Sequence, residues 1–516
     1  MYTAVSESDP MLSPSGGKGS RSPNGAVHSL RLEPPAPKCN DAAFAVVFVV
    51  HVAAVAVLAF WKGLPALRAQ LDKHKTDNEP PQDFSMALTL VGILTATGVA
   101  LSLAWMQFLM AYASSMIRIA LWLNVAMVLV FAISTFAVNP IAGLVFLFLA
   151  AINVWYIYAV QNRIGFASAN LKAACAAVKD HSAVFVVALL LVVQQTLWLA
   201  LWGLSALGVH QLFVEADPSC DQEMQGAFGP GRGRNNGGLC GGPGAGVTLF
   251  FLLISVYWGQ QVLQNILTCT TAGVVATWWY QPNAQKATVG ALYRSVTTSF
   301  GSICFGSLIV AVLQALRTMA NMAKQRAREE ESTALACFAC MAECILSCLA
   351  NIMEYINQWA YVYVGIYGYP FRTSGKAVMD LFNNRGWTAV INDDLTSSAL
   401  TFGAMGVGVV TCCIGLLMAK FAPAAWFAGL GSQAGVYGVM ATIGFMSGMS
   451  MAMILAQVVI AALHTIFVCF AEVRCAIVRS DPIAFNRNHP KEYDDLVAGW
   501  RQFHGDALVA AYGSAV

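Results

Sequence analysis

Apolar residues run along this chain in long blocks separated by short polar stretches, and the blocks set the elements. The hydrocarbon core of a bilayer is about 30 Å thick, so a helix needs roughly 20 apolar residues to cross it. Ten blocks are of that order: 42–61, 86–110, 117–138, 140–160, 183–208, 246–280, 296–316, 337–366, 398–420 and 446–472. They predict an all-α, polytopic membrane bundle of about ten transmembrane helices, with both chain ends on one side. Composition supports this class. Of the 516 residues 57% are hydrophobic and 11% charged, at a mean hydropathy of +0.61. A soluble domain carries about a quarter charged residues.

The stretches between the blocks suggest the organisation. Residues 1–40, rich in Ser, Pro and Gly, read as a disordered cytoplasmic tail without the apolar core of a signal peptide. Residues 41–475 form the transmembrane domain, and 476–516 a second cytoplasmic tail. Residues 62–85 read as a charged, proline-punctuated loop. Residues 209–245 read as a Gly-rich extracellular loop, where Cys220 and Cys240 can hold a disulfide. In 376–395, apolar positions recur at helical spacing between charges, predicting an amphipathic interfacial helix followed by a turn.

Orientation follows Lys and Arg in short loops. Arg163, Lys172, Lys179, Lys286, Arg294, Arg474 and Arg479 all fall inside if both termini are cytoplasmic. Lys62, Arg68, Lys73, Lys75 and the KQRAREEE stretch at 324–331 then lie outside, against the rule. The net charge of +2 and the lack of a basic tract give no reason to expect nucleic acid.

Candidate chemistry lies where polar groups enter apolar runs, because such groups are costly at membrane depth. In YWGQQVLQNILTCTTAGVVATWWY (257–280), Gln260, Gln261, Gln264, Asn265, Thr268 and Thr271 recur every three or four residues below Trp258. They read either as the lining of a solute cavity or as helix–helix hydrogen bonds, with Trp278–Tyr280 in an interfacial aromatic belt. Residues 342–358 place Glu343, Ser347, Asn351, Glu354 and Gln358 on one face. That face is either a solvated surface or a vestibule whose two glutamates attract cations. The same helix continues into NQWAYVYVGIYGYPF, with Trp359, Tyr363 and Tyr367 on one face and Tyr361 turned away. Ring faces attract a quaternary ammonium by about 0.5–2 kcal/mol each, yet aromatic stripes also serve as packing and belts. Pro370 predicts the end of this helix near Tyr369.

Other chemistry finds little support. The four thiols of CFACMAECILSC (Cys337, Cys340, Cys344, Cys348) form one stripe, which suits packing or S-palmitoylation better than zinc. His51 and His464 fall inside apolar runs and read as hydrogen-bonded core residues or proton relays. Walker A, HExxH and GxSxG motifs in plausible surroundings are lacking, so neither ATP-driven transport nor an enzyme is expected, and no cofactor or metal is implied.

Several stretches in order resemble the choline transporter-like family: 257–280, TTSFGSICFGSLIVAVLQALR (297–317), NQWAYVYVGIYGYPFRTSGKAVMDLF (357–382) and FVCFAEVRCAIVRSDP (467–482). The resemblance implies a ten-span carrier of choline, or in some members ethanolamine, that does not hydrolyse ATP and resides by default in the plasma membrane. The short loop after the first span and the absence of N-x-S/T sequons resemble the fungal and protist branch. On this reading Trp258, Gln264, Asn265, Trp359, Tyr363 and Tyr367 are candidate substrate-binding residues around a midplane cavity. Glu343 and Glu354 would raise local cation concentration. A non-transporting scaffold or lipid-interacting protein is the rival reading, and membrane lipids are partners in either case.

Overall fold

The structure is a computed structural model and describes residues 39–69, 84–136, 139–216, 243–281, 284–329, 333–421, 433–472 and 488–504. Among these, ten helices are long and apolar enough to cross a membrane, as the hydrophobic blocks predict. The spanning helices are α1 (Ala42–Ala69), α2 (Thr89–Leu109), α3 (Ala111–Phe136), α4 (Pro140–Val160), α6 (Ala183–Ala216), α7 (Pro243–Tyr280), α9 (Phe300–Glu329), α10 (Thr333–Tyr367), α11 (Phe371–Phe421) and α12 (Gln433–Glu472). Three further helices, α5 (Ile164–Asp180), α8 (Ala287–Val296) and α13 (Pro490–His504), lie in stretches that the hydrophobic pattern leaves as loops or tail.

Local sequence explains several ends. Asn139 caps α4: its Oδ1 accepts from the backbone N–H groups of Ile141 (3.1 Å) and Ala142 (3.3 Å), with Pro140 in the first turn. α2 and α3 run on from one another, with a kink in the first turn of α3 at Tyr112, whose φ of −123° is not helical. α10 ends at Tyr367 because Gly368 turns left-handed (φ 66°) and Pro370 cannot extend the ladder.

Several expectations need correction. α1 passes through a π-helical turn at Ala59–Gly63 and runs on to Ala69, so the first eight residues expected in the 62–85 loop are helical. α6 and α7 likewise take both ends of the 209–245 loop. Helices outlast their hydrophobic blocks because hydrogen bonding along the axis does not stop where the side chains become polar. Within 376–395 no turn follows the amphipathic segment. α11 continues as one helix of 51 residues, and its spanning part begins at Asp393. Cys220 and Cys240, both terminal tails apart from 39–40 and 488–504, and most of the 62–85 loop lie outside the described residues.

The helices meet through small residues, as is usual where apolar burial gives no net drive between helices in lipid. α11 and α12 cross at Thr411: a Cβ on Gly448 would stand 2.0 Å from its Oγ1, and one on Gly444 2.6 Å from its carbonyl oxygen. α7 and α10 cross at Gly365, where a Cβ would stand 2.6 Å from the Cys269 carbonyl oxygen. Trp278 and Trp279, expected in an interfacial belt, are instead buried. The Trp278 indole N–H donates to Asp180 of α5 (2.8 Å) and its ring lies 3.9 Å from that of His489, just ahead of α13. α13 buries Leu496 completely, and its Gly499 comes close to the Phe166 backbone of α5.

Candidate functional site

α10 divides the candidate residues between two clusters. Successive helical residues turn by 100°, so Trp359 and Tyr361 point roughly 200° apart. Tyr361 faces α7 and α9; Trp359 faces α11 and α12.

The first cluster holds most of the predicted α7 residues, and several of its polar groups bond one another, while His51 Nδ1 and the Thr271 hydroxyl are buried without a partner among the described residues. Asn265 donates to the Ser307 hydroxyl (3.0 Å), which also contacts the Tyr361 hydroxyl (3.2 Å). Cys269 donates to the Tyr361 carbonyl (3.4 Å), and Asn357 to that of Gly306 (3.2 Å). Trp258 is buried, its indole N–H donating to the Cys304 carbonyl (3.0 Å). Its ring partners are Phe48 and His51 of α1, the latter stacked at 5.1 Å. His51 in turn bonds Ser255 (2.7 Å). Gln264 is half-buried, and its backbone carbonyl accepts from the Thr268 hydroxyl (3.3 Å). This cluster contains no charged side chain among these residues, and a quaternary ammonium would meet no counter-charge in it.

The second cluster does contain a charge. Asp393 of α11, its side chain 13% exposed, accepts through Oδ1 from His464 Nε2 of α12 (2.9 Å) and from the Ser397 hydroxyl (3.2 Å). The His464 ring stacks on Trp359 at 4.2 Å and 24°. Phe382 and Phe467 stand edge-on to Trp359 at 5.6 and 5.7 Å, and Tyr355 stacks over Phe382 at 6.0 Å. The Tyr355 hydroxyl is buried beside the Asp393 carboxylate without a well-aligned hydrogen bond, and the Trp359 indole N–H is buried with no well-aligned acceptor among the described residues. One helical position on, Asp394 accepts from Tyr156 of α4 (2.6 Å).

The predicted cage is therefore not assembled from the residues named for it. Among the described residues Trp258 and Trp359 share no ring partner. Tyr363 contacts Tyr367 (5.9 Å), which stacks on Tyr369 (5.2 Å), a separate run toward the end of α10. Glu343 is paired with Lys324 of α9, while Glu354 is half-buried within electrostatic range of Arg317. Asp393, Tyr355 and Phe382 were missed. The available signal was an acidic residue at the edge of an apolar run, with a histidine inside another. A cavity of about 150 Å³ between α2, α5, α6 and α12 is lined by Gln107, Lys179 and Ser182, and its one charge is repulsive to a cation.

Comparison with known proteins bears on the class. Residues 144–474 match the family described as plasma-membrane choline transporter. Protein PNS1 of Mycosarcoma maydis is 28% identical over 363 residues, 70% of this chain and 65% of that protein. Protein PNS1 of Debaryomyces hansenii is 25% identical over 480 residues, 90% of this chain and 88% of that protein. A CTL-like protein of Dictyostelium discoideum is 23% identical over 389 residues, 74% of this chain and 64% of that protein. The chain thus spans just under two thirds of the first and third of these relatives. With ten apolar helices and a family match across most of its length, this chain belongs to the choline transporter-like family of membrane proteins.

Proposed function

We propose that the protein carries choline or a related organic cation, such as ethanolamine, across the plasma membrane by alternating access without ATP. Both termini face the cytoplasm, as the Lys and Arg distribution favours. The observation that carries this reading is the largely buried Asp393 carboxylate, hydrogen-bonded to His464, whose ring stacks on Trp359 in a cluster with Phe382 and Tyr355. An unpaired charge in this setting costs several kcal/mol, so the carboxylate needs a partner in every state. The substrate's ammonium takes the place His464 holds here, against ring faces that attract it. Its hydroxyl meets the buried Trp359 N–H and Tyr355 O–H, neither of which has a well-aligned partner among the described residues.

The site is closed in this conformation, with Trp359 and His464 at most 1% exposed. It lies eight residues from the end of α10 and of α12, about 12 Å along each axis, and so nearer one membrane face than a midplane cavity. Uptake of labelled choline into proteoliposomes tests the reading. Saturable uptake that falls at least tenfold in Asp393→Asn, with the variant still monodisperse, is the expected result. Absence of saturable uptake of choline, ethanolamine and related amines by the wild-type chain leaves the scaffold reading instead.

A further inference from the structure

Asn40 and Asp41, which open α1, are tied to the starts of two distant helices. The Asn40 backbone N–H donates to the Thr298 carbonyl (3.2 Å), and its side-chain amide to the Gly368 carbonyl (2.7 Å). Asp41 Oδ2 accepts from the Ser302 hydroxyl of α9 (2.7 Å) and from the Phe371 backbone N–H that begins α11 (3.1 Å). One carboxylate therefore lies at two helix N-termini, where the helix dipole favours an anion. Asp41 holds a left-handed conformation (φ 54°) that only a few non-glycine residues tolerate. Gly301 is what lets the segment approach, since a Cβ there would lie 2.4 Å from both the Asn40 and Asp41 carbonyl oxygens.

Behind these contacts lies a plug of rings from four helices. Phe44 of α1 stacks on Phe305 of α9 at 4.2 Å; Phe305 meets Phe371 of α11 at 5.5 Å; Phe371 meets Tyr361 of α10 at 5.6 Å. Gly306 seats the plug, as a Cβ there would fall 2.3 Å from the Phe371 ring. Separating α1, α9 and the α10–α11 turn at this end requires the Asn40–Asp41 contacts to break together with the plug.

We propose that Asn40 and Asp41 are a latch that holds this end of the bundle closed, acting as positioning residues for the end of α10 and the start of α11. The same α10 end carries Trp359, and the same α11 start carries Phe382. The latch thus controls access to the Asp393 cluster, a consequence that rests on the function proposed above, whereas the latch itself does not.

Native thiols report on it in the purified full-length chain. Cys304 and Cys269 are buried behind the plug, and Cys175 is equally buried on α5, away from it. Alkylation by N-ethylmaleimide, followed cysteine by cysteine by peptide mass spectrometry, gives the rate at each. Asp41→Gly keeps the backbone conformation and removes the carboxylate. It is expected to speed alkylation of Cys304 and Cys269 about tenfold or more, with Cys175 unchanged. Asp41→Asn, which keeps one acceptor oxygen, should fall between. Gly301→Ala, which leaves Asp41 intact and wedges it outward, should reproduce the Gly effect. Unchanged rates at Cys304 and Cys269 overturn the proposal, as does an equal rise at Cys175, which would mean general loosening. No transport is needed for this readout, so failure of choline uptake leaves it standing.

Discussion

Trp359 combines two interactions that substitution can separate. Its ring face is covered by His464, and its N–H has no well-aligned acceptor among the described residues. Trp359→Phe keeps a ring and removes the donor; Trp359→Ala removes both. A ring–cation contact of about 1–2 kcal/mol corresponds to a change of about 5–30-fold in affinity. Measured by uptake in proteoliposomes, KM for choline is expected to rise by about that factor in Trp359→Ala and by less in Trp359→Phe. Equal KM values in all three proteins would remove Trp359 from the site. The sequence puts Trp359 on one helical face with Tyr363 and Tyr367, but it could not show that Asp393, which reaches Trp359 through His464, comes from another helix. Tyr361 shows the same limit from the other side. It turns away from that stripe as helical geometry requires, yet what it turns toward, Ser307 and Phe371, is set by neighbouring helices.

Among the elements, α11 and α12 are held at a distance that only glycine permits. Gly444 and Gly448 lie one turn apart on the face that meets Thr411, whose hydroxyl is occupied by the Val407 carbonyl at 2.6 Å. A Leu at Gly448 must push the helices apart, an overpacking cost of about 1–3 kcal/mol. Thermal denaturation in detergent should show a lower midpoint for Gly448→Leu. For Gly438→Leu, on the same helix with open space at its Cβ, the midpoint should stay close to wild type. Since α11 and α12 carry Asp393 and His464, the same wedge should also weaken uptake. The amphipathic stretch within 376–395 marks where α11 leaves the apolar run, and its periodicity was legible; its continuity with the span was not. α13 was missed because its 15 residues carry too little hydrophobicity to stand out until α5 is there to cover Leu496.

For the molecule as a whole, one end gathers the features that distinguish it. The latch, the ring plug and the contact of His489 with Trp278 lie where α1, α9 and α11 begin or α7 and α10 end, and the Asp393 cluster lies about two turns in from the ends of α10 and α12. Under the proposed orientation this end is cytoplasmic, and an epitope added to either terminus should bind antibody only after the cells are permeabilised. Staining of intact cells at both termini would invert the molecule and make this the outer gate. Staining at one terminus alone would mean an odd number of spans.

Class and span number were fixed by the sequence, because crossing a bilayer depends on the length and apolarity of single segments, which are local properties. Family membership was legible for the same reason, in contiguous motifs. Which polar groups meet was decided by tertiary structure alone. Asp393 and His464 are 71 residues apart, and Asp41 and Phe371 330 apart. A helical period shows which side chains share a face, but the partner across that face depends on how ten helices pack and on the glycines that let them approach.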